Sequence, residues 1–345
     1  MPPRWPLRRP PDRAGRQPGG RVVLRLIADR LFFSLFVVAA ATLVIFFGIS
    51  AIGDPLGELR NDSNISPESL QRLIDRKHLD DPLIVQYGHW LSDMVFNQFG
   101  TDLKHDRPIW PELSRAFMNT IQLVLPAKLL AIVVAIGAGV VAGRFQYSLF
   151  DYLTTIGSFI GYSIPIFWFA LILQVLAVNL YQATGVRYVY ISGLSDVDVG
   201  GGWSFFVDRV QHLILPILAL SINSVATFYR YVRASMLEVV NSDYIRTARA
   251  KGMAEHTVLL RHALRNASLP LATVVGVSLG QVFAGAIIIE TIFSMPGMGL
   301  YFFTALSTRD VYPLMAWLMV TAVIALSFNL LTDILYGVLD PRIRS

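Results

Sequence analysis

Residues 243–270 read DYIRTARAKGMAEHTVLLRHALRNASLP, a strongly basic segment set between two long apolar runs. Between residues 230 and 265, seven Lys/Arg (Arg230, Arg233, Arg246, Arg249, Lys251, Arg261 and Arg265) stand against Glu238, Asp243 and Glu255, a balance of +4. Loops of that sign between apolar spans stay on the cytoplasmic side. Met236, Val239 and Val240 before Gly252, and Val258, Leu259 and Ala263 after it, recur at helical spacing, so the segment reads as helix, glycine stop, helix. Its exposed face is basic and small (Arg246, Ala248, Arg249, Ala250, Lys251), with alanines that let another protein's groove approach the backbone. Such a shape suits docking, not catalysis.

The surrounding chain is of the kind such a loop serves. A chain of 345 residues with 54% hydrophobic and 15% charged residues is too apolar for a soluble domain. Its net charge of +5 is segregated by loop, which fits membrane topology and not nucleic-acid binding. The absence of cysteine excludes disulfides, thiolate nucleophiles and Cys-ligated metals.

Residues 1–20 hold six prolines and three glycines and no apolar periodicity, so 1–30 is expected to be a disordered, basic cytoplasmic tail, with eight arginines against two aspartates. Residues 31–53 form an uncharged first span. The following segment carries eleven acidic and six basic residues between 54 and 112, and 54–115 reads as an extracytoplasmic helical cap. In it Ser66-Pro67 and Asp81-Pro82 each look like an N-cap followed by proline at the first helical position. One apolar stripe runs through Leu70, Leu73 and Ile74, another through Ile84, Tyr87, Leu91 and Met94.

The core, 116–345, opens with a span at 117–143 interrupted by Lys128. A lysine at that depth costs about 2.5 to 3.5 kcal/mol on insertion scales and therefore faces protein or water. It is either a buried partner of another helix or subunit, or a cation lining a substrate path and suited to a carboxylate. The 35 uncharged residues between Asp151 and Arg187 predict one tilted span at 152–181, kinked at Pro165, with Trp168 near an interface. Further spans are expected at 210–229, 266–289 and 312–331, the last extending to 339. A basic N-terminus, a basic fourth loop (230–265) and a C-terminus bearing Arg342 and Arg344 share one side only if six spans cross. The expected fold is thus an all-α polytopic membrane protein with six transmembrane helices and both ends inside.

Chemistry within the chain is sparse. None of the four lysines is followed by Ser or Thr, so no phosphate-binding P-loop of the GxxxxGK[ST] type exists, and an ATP-driven process requires another subunit to bind the nucleotide. The six histidines form no HExxH pair, and His256 and His262 do not share a ligand face. The GVSLG match at 276–280 lies inside an apolar run, where small residues serve helix packing and not a nucleophile elbow. Asp333 and Glu290 read as structural partners near helix ends. Neither catalytic, metal nor cofactor residues are expected in this chain.

Several blocks carry a family resemblance that covers nearly the whole chain from the first span onward: DDPLIVQYGHWL, SIPIFWFALILQ, RASMLEVVNSDYIRTARAKGM, RHALRNASLP, IETIFSMPGMG and NLLTDILYGVLDPRIR. In these the chain resembles the permease subunits of bacterial ABC importers for dipeptides, oligopeptides and nickel. The resemblance implies a type I importer permease fold in the bacterial inner membrane, surrounded by lipid. It also implies a second, similar permease, two ATPase subunits that hold the ATP and Mg, and an extracytoplasmic substrate-binding protein. Peptides are the cargo first implied, nickel or another small solute the alternative; an ion-coupled secondary transporter would need coupling residues or an inverted repeat that the sequence does not show. The basic loop is similar to the E-A-A-x-x-x-G motif that docks on the ATPase, which maps docking onto Arg246, Thr247, Ala248, Arg249, Ala250, Lys251, Gly252 and Met253. Aligned on Gly252, the motif's glutamate position is occupied by Arg246. An acidic partner surface is then needed to receive Arg246, Arg249 and Lys251.

Overall fold

The computed structural model describes residues 19–52, 56, 57, 60, 66–196, 200–280 and 282–339. Residues 1–18 of the basic tail and the C-terminal Arg342 and Arg344 lie outside them, as does the side chain of Asp333. Helix α1 spans Gly19–Ile52. The last part of the expected disordered tail is therefore helical: VVLRLIA at 22–28 is built of apolar and strong helix-forming residues, and it continues the first span inward without a break.

Helices α4 (Ile109–Arg144) and α7 (Trp203–Val240) are the axis of the molecule and pack along much of their lengths. The cause is a column of small residues at four-residue spacing on α4: Ala127, Ala131, Ala135, Gly139 and Gly143, all buried. A Cβ at Gly139 would stand 2.7 Å from Val232 Cγ1, and one at Gly143 2.6 Å from Met236 Cβ. Close approach of helix backbones through small residues is how helices associate where lipid removes the hydrophobic drive. Both helices exceed the spans read from hydropathy. Residues 230–240, assigned to the basic loop, extend α7, because Val232 and Met236 continue its buried stripe.

The single kinked span expected at 152–181 is two helices, α5 (Leu149–Ser163) and α6 (Ile166–Thr184). Ile164 is extended, at φ −72° and ψ 125°, as the residue before a proline prefers, and Pro165 is the N-cap of α6. The chain breaks there where a mid-helix proline alone would bend it. Helix α5 runs antiparallel to α7. Asp151 holds Arg233 in a bidentate pair, with Nη2 2.8 Å from Oδ2. Further along, Thr154 meets Tyr229, and a Cβ at Gly161 would come within 3.2 Å of Ile222. Trp168 sits in the first turn of α6, beside the break.

In the cap, α2 (Pro67–Lys77) starts as expected, with Ser66 Oγ accepting from Ser69 N at 3.2 Å and Pro67 first in the helix. Helix α3 (Leu83–Phe96) is shifted by one, Pro82 itself being its N-cap. Its buried stripe centres on Trp90 and joins Phe46 of α1 to Met315 and Met319. Ile84, placed on that stripe by spacing, is exposed. Lys77 ties the cap down by donating to Thr101 O and Oγ1 at 2.7 and 2.8 Å, while its ammonium lies 4.7 Å from the Tyr312 ring centroid. Burial lowers its pKa despite the aspartates nearby.

Beyond the basic loop come α10 (Leu264–Gly280), α11 (Val282–Ile292), α12 (Met298–Ser307) and α13 (Val311–Leu339). Among the described residues, five helices are long and apolar enough to cross a membrane alone: Arg30–Ala51, Ile109–Arg144, Ile166–Thr184, Trp203–Val240 and Val311–Thr332. The fifth expected span, 266–289, is shared between α10 and α11 on either side of Gln281, which lies outside the described residues. Gly276 of the GVSLG stretch packs against α13, where a Cβ would fall 2.3 Å from Thr332 Oγ1, in keeping with a packing role.

Candidate coupling loop and membrane-level polar groups

The basic loop folds as the glycine-stop pattern predicts. Helix α8 (Asp243–Ala250) has Lys251 as its C-cap, and Gly252 follows at φ +76°, a left-handed conformation that glycine adopts without steric penalty. The Gly252 amide donates to Arg249 O at 2.9 Å and the Met253 amide to Ala248 O at 3.4 Å, which closes the end of the helix. After Gly252 the short α9 (Glu255–Thr257) runs into a π-helical turn, Val258–Ala263, and then into α10. The π-turn has no counterpart in the sequence pattern, because apolar spacing there fits an ordinary helix.

The eight residues assigned to docking divide into two groups. Arg246, Thr247, Ala250, Lys251 and Gly252 are exposed. Ala248 is instead buried beside Ile245, and Met253 packs on the same cluster, which includes Phe228, Val232 and Met236 of α7. Ala248 thus anchors the loop to the membrane helices and presents no surface to a partner. Arg249 is also removed from the free cations: its Nε and Nη2 donate to Glu255 at 3.2 and 2.9 Å. Arg144, the last residue of α4, brings its Nε to 2.8 Å from Glu255 Oε1, as an ion pair without an aligned hydrogen bond. One carboxylate therefore links the loop's two halves to α4. The hydrogen bonds from Arg249, with the charges of both arginines, hold the Glu255 carboxyl below the ordinary carboxylate range. Of the three cations assigned to an acidic partner, Arg246 and Lys251 remain exposed, and Arg246 is itself 3.6 Å from the exposed Asp243.

Lys128 is half-buried, donates from Nζ to Ser224 Oγ at 2.9 Å, and lies 5.7 Å from the centroid of Phe228. It has no carboxylate partner among the described residues; its hydrogen-bond partner Ser224 is on α7, so the pairing with another helix considered from sequence is present through a hydroxyl.

Glu290 is a structural partner, as expected, and its role is specific. It is 1% exposed and faces the start of α12, accepting from Gly299 N at 2.5 Å, Leu300 N at 3.4 Å and Thr120 Oγ1 at 2.5 Å. A carboxylate there satisfies amides with no helical partner and meets the positive end of the helix dipole. Thr120 Oγ1 also accepts from Met298 N, Asn119 donates to Pro296 O, and Trp317 Nε1 donates to Met298 O, each at 2.8 Å. The SMPGMG turn needs its glycines for this contact: a Cβ at Gly297 would stand 2.4 Å from the Glu290 carboxylate, and one at Gly299 2.3 Å from Ile287 Cα. The two glycines downstream of a buried glutamate were the only sequence signal available.

Two groups of His and Asp side chains were missed by sequence reasoning: His78 with Asp81 and His89, and Asp196 with Asp208 and His212. In each, the potential ligand atoms fall within 4.8 Å of one another. His212 Nδ1 is occupied by Asp208 O at 2.9 Å, and its ring stacks on Tyr190.

Comparison with known proteins adds the following. The family described as binding-protein-dependent transport system inner membrane component matches residues 135–345. The oligopeptide transport system permease protein AppB of Bacillus subtilis is 39% identical over 323 residues, covering 92% of this chain and 98% of that protein. The dipeptide transport system permease protein DppB of Escherichia coli K12 is 37% identical over 336 residues, 93% and 99% of the two chains. A di/tripeptide transport system permease protein DppB of Pseudomonas aeruginosa is 36% identical over 338 residues, again 93% and 99%.

Proposed function

Since this chain belongs to the family of binding-protein-dependent transport system inner membrane components, we propose that it works as the peptide permease subunit of an ABC importer, forming half of a translocation path. It is a multi-pass protein of the cytoplasmic membrane and, as a permease subunit, is not itself an enzyme. A second, similar permease supplies the other half of the path. Two ATPase subunits bind the ATP and Mg and grip one basic loop each, and an extracytoplasmic binding protein delivers the cargo. Dipeptides and oligopeptides are the cargo class, on the strength of relatives named for them that align over more than nine-tenths of the chain.

The observation that carries the coupling role is the construction of the loop. It is short, capped at Gly252, anchored inward by Ile245 and Ala248, and joined to α4 through Glu255, so a push on its exposed face moves α4, α7 and α10 together. Nucleotide binding would bias an equilibrium between two packings of these helices. The test is the ATPase activity of the reconstituted four-subunit complex with its binding protein, titrated with peptides, nickel and free amino acids. Stimulation by peptides is the expected result. Stimulation by nickel alone would reassign the cargo, and an intact complex stimulated by none would overturn the importer reading for these solutes.

A further inference from the structure

Three polar features of the membrane helices lie at one depth, and none is suited to lipid. On α7 the uncharged stretch between Arg209 and Arg230 is 20 residues, about 30 Å and so about one hydrocarbon thickness. Asn223 lies three to four residues from its middle, about 5 Å along the axis. On α4, Lys128 is close to the centre of the run between Arg115 and Arg144. The α5–α6 break is level with both, because Tyr162 O accepts from Asn223 Nδ2 at 3.4 Å and Lys128 donates to Ser224, the next residue.

Each feature is short of partners. Asn223 is exposed, and among the described residues its carboxamide makes only that one long bond. Lys128 uses one of three donors. At the break, Phe169 N is the first amide of α6 with a backbone acceptor, Pro165 O at 3.1 Å, and no side chain caps the turn before it. In hydrocarbon, unpaired groups of this kind cost several kcal/mol each, so irregular backbone at this depth is found only against protein or water. At the break opens a groove of about 580 Å³ lined by Phe159, Ile160, Ser163, Ile164, Phe167 and Trp168, and Tyr162, within the same stretch, joins it to Asn223 on α7. An apolar groove bearing the Ser163 hydroxyl, with the Asn223 amide and the Lys128 ammonium at the same depth on the neighbouring helices, matches a peptide, whose backbone is polar and whose side chains vary.

We propose that the surface carrying Ser163, Asn223 and Lys128 lines the translocation path and contacts the amides and the C-terminal carboxylate of a peptide in transit. This rests on the permease reading above. Because the chain has no cysteine, single cysteines can be placed without removing any. Ser163→Cys, Asn223→Cys and, in case either fails to assemble, Ile160→Cys would be compared with Phe36→Cys on the exposed face of α1. The full complex in proteoliposomes is treated with a membrane-impermeant cationic methanethiosulfonate, with and without ATP and binding protein. The expected result is modification at least tenfold faster than at Phe36→Cys, in at least one nucleotide state, with slowing by peptide. Rates equal to the Phe36→Cys control in every state would overturn the assignment, as would protection throughout with cross-linking to the second permease, which would make this surface an interface. In parallel, Lys128→Met is expected to raise the KM for peptides with a free C-terminus at least fivefold relative to the same peptides amidated; an equal change for both would remove Lys128 from the contact. ATP-driven peptide uptake by the unmodified complex separates the two readings. Uptake with inaccessible cysteines discards this site alone, whereas no ATP-driven uptake discards the permease reading as well.

Discussion

Replacing Gly252 tests the coupling loop most directly, because the structure isolates a single cost. A Cβ at this position meets no atom within 4 Å, so substitution creates no clash inside the chain. What remains is the backbone conformation, φ +76°, which an L-residue adopts at a cost of about 1–2 kcal/mol. Asparagine tolerates that region, alanine less so, and β-branched valine least. A penalty of that size lowers the population of the capped loop by a factor of about 5 to 30 relative to wild type. The series Gly252→Asn, Gly252→Ala and Gly252→Val should therefore insert and assemble normally yet lose peptide uptake per ATP hydrolysed in that order, with valine losing about tenfold or more. The assay is simultaneous measurement of phosphate release and peptide uptake in proteoliposomes. Normal uptake per ATP in Gly252→Val would refute the coupling argument. An asparagine variant as damaged as the valine one would show that something other than backbone conformation, such as contact with a partner, demands the glycine.

Three further outcomes follow from the packing. Gly299→Ala places a Cβ 2.3 Å from Ile287 Cα and should destabilise the protein by about 3 kcal/mol, the upper part of the overpacking range. Gly137→Ala, with nothing within 4 Å, should be neutral or slightly stabilising, and thermal aggregation midpoints in detergent compare them. Asp151→Asn leaves Arg233 without its buried carboxylate, which costs about 3 kcal/mol; a midpoint unchanged from wild type would show that the pair does not hold α5 to α7. The Glu255 carboxyl has a folded pKa below its ordinary 4.5, so its contribution is complete above that value and is lost as pH falls through the lower folded one. Amide exchange in α8 should be insensitive to this group from about pH 5 to 8 and respond to it only as pH falls below the ordinary carboxylate range, whereas Glu255→Gln should raise it at about pH 5 to 8 as well. A rise in α8 exchange centred between pH 5 and 8 would assign the loop's pH response to another group.

Local composition was enough to locate the membrane helices and the basic loop. Uncharged runs of about 20 residues, charge of opposite sign on alternate loops, and a glycine after a helical pattern are properties of consecutive residues, and each acts through its immediate solvent or its own backbone. The helix stop at Gly252 was legible for that reason. Where the sequence reading failed, the deciding contact was in most cases distant in the chain. Ala248 looks like docking surface until it joins a buried cluster with Phe228, Val232 and Met236 of α7, while Arg249 is taken by Glu255 only six residues on, a carboxylate that Arg144 reaches from across the chain. Asp151 finds Arg233 across 82 residues, and Glu290 finds Thr120 across 170. Pro165 announced a disturbance, but whether the helix bends or stops depends on α7 antiparallel beside it, with Asn223 taking the carbonyl of Tyr162 just before the break. Spacing along the chain determines which face of a helix is apolar. It cannot determine which other helix covers a given polar group, and at membrane depth that pairing decides what the group does.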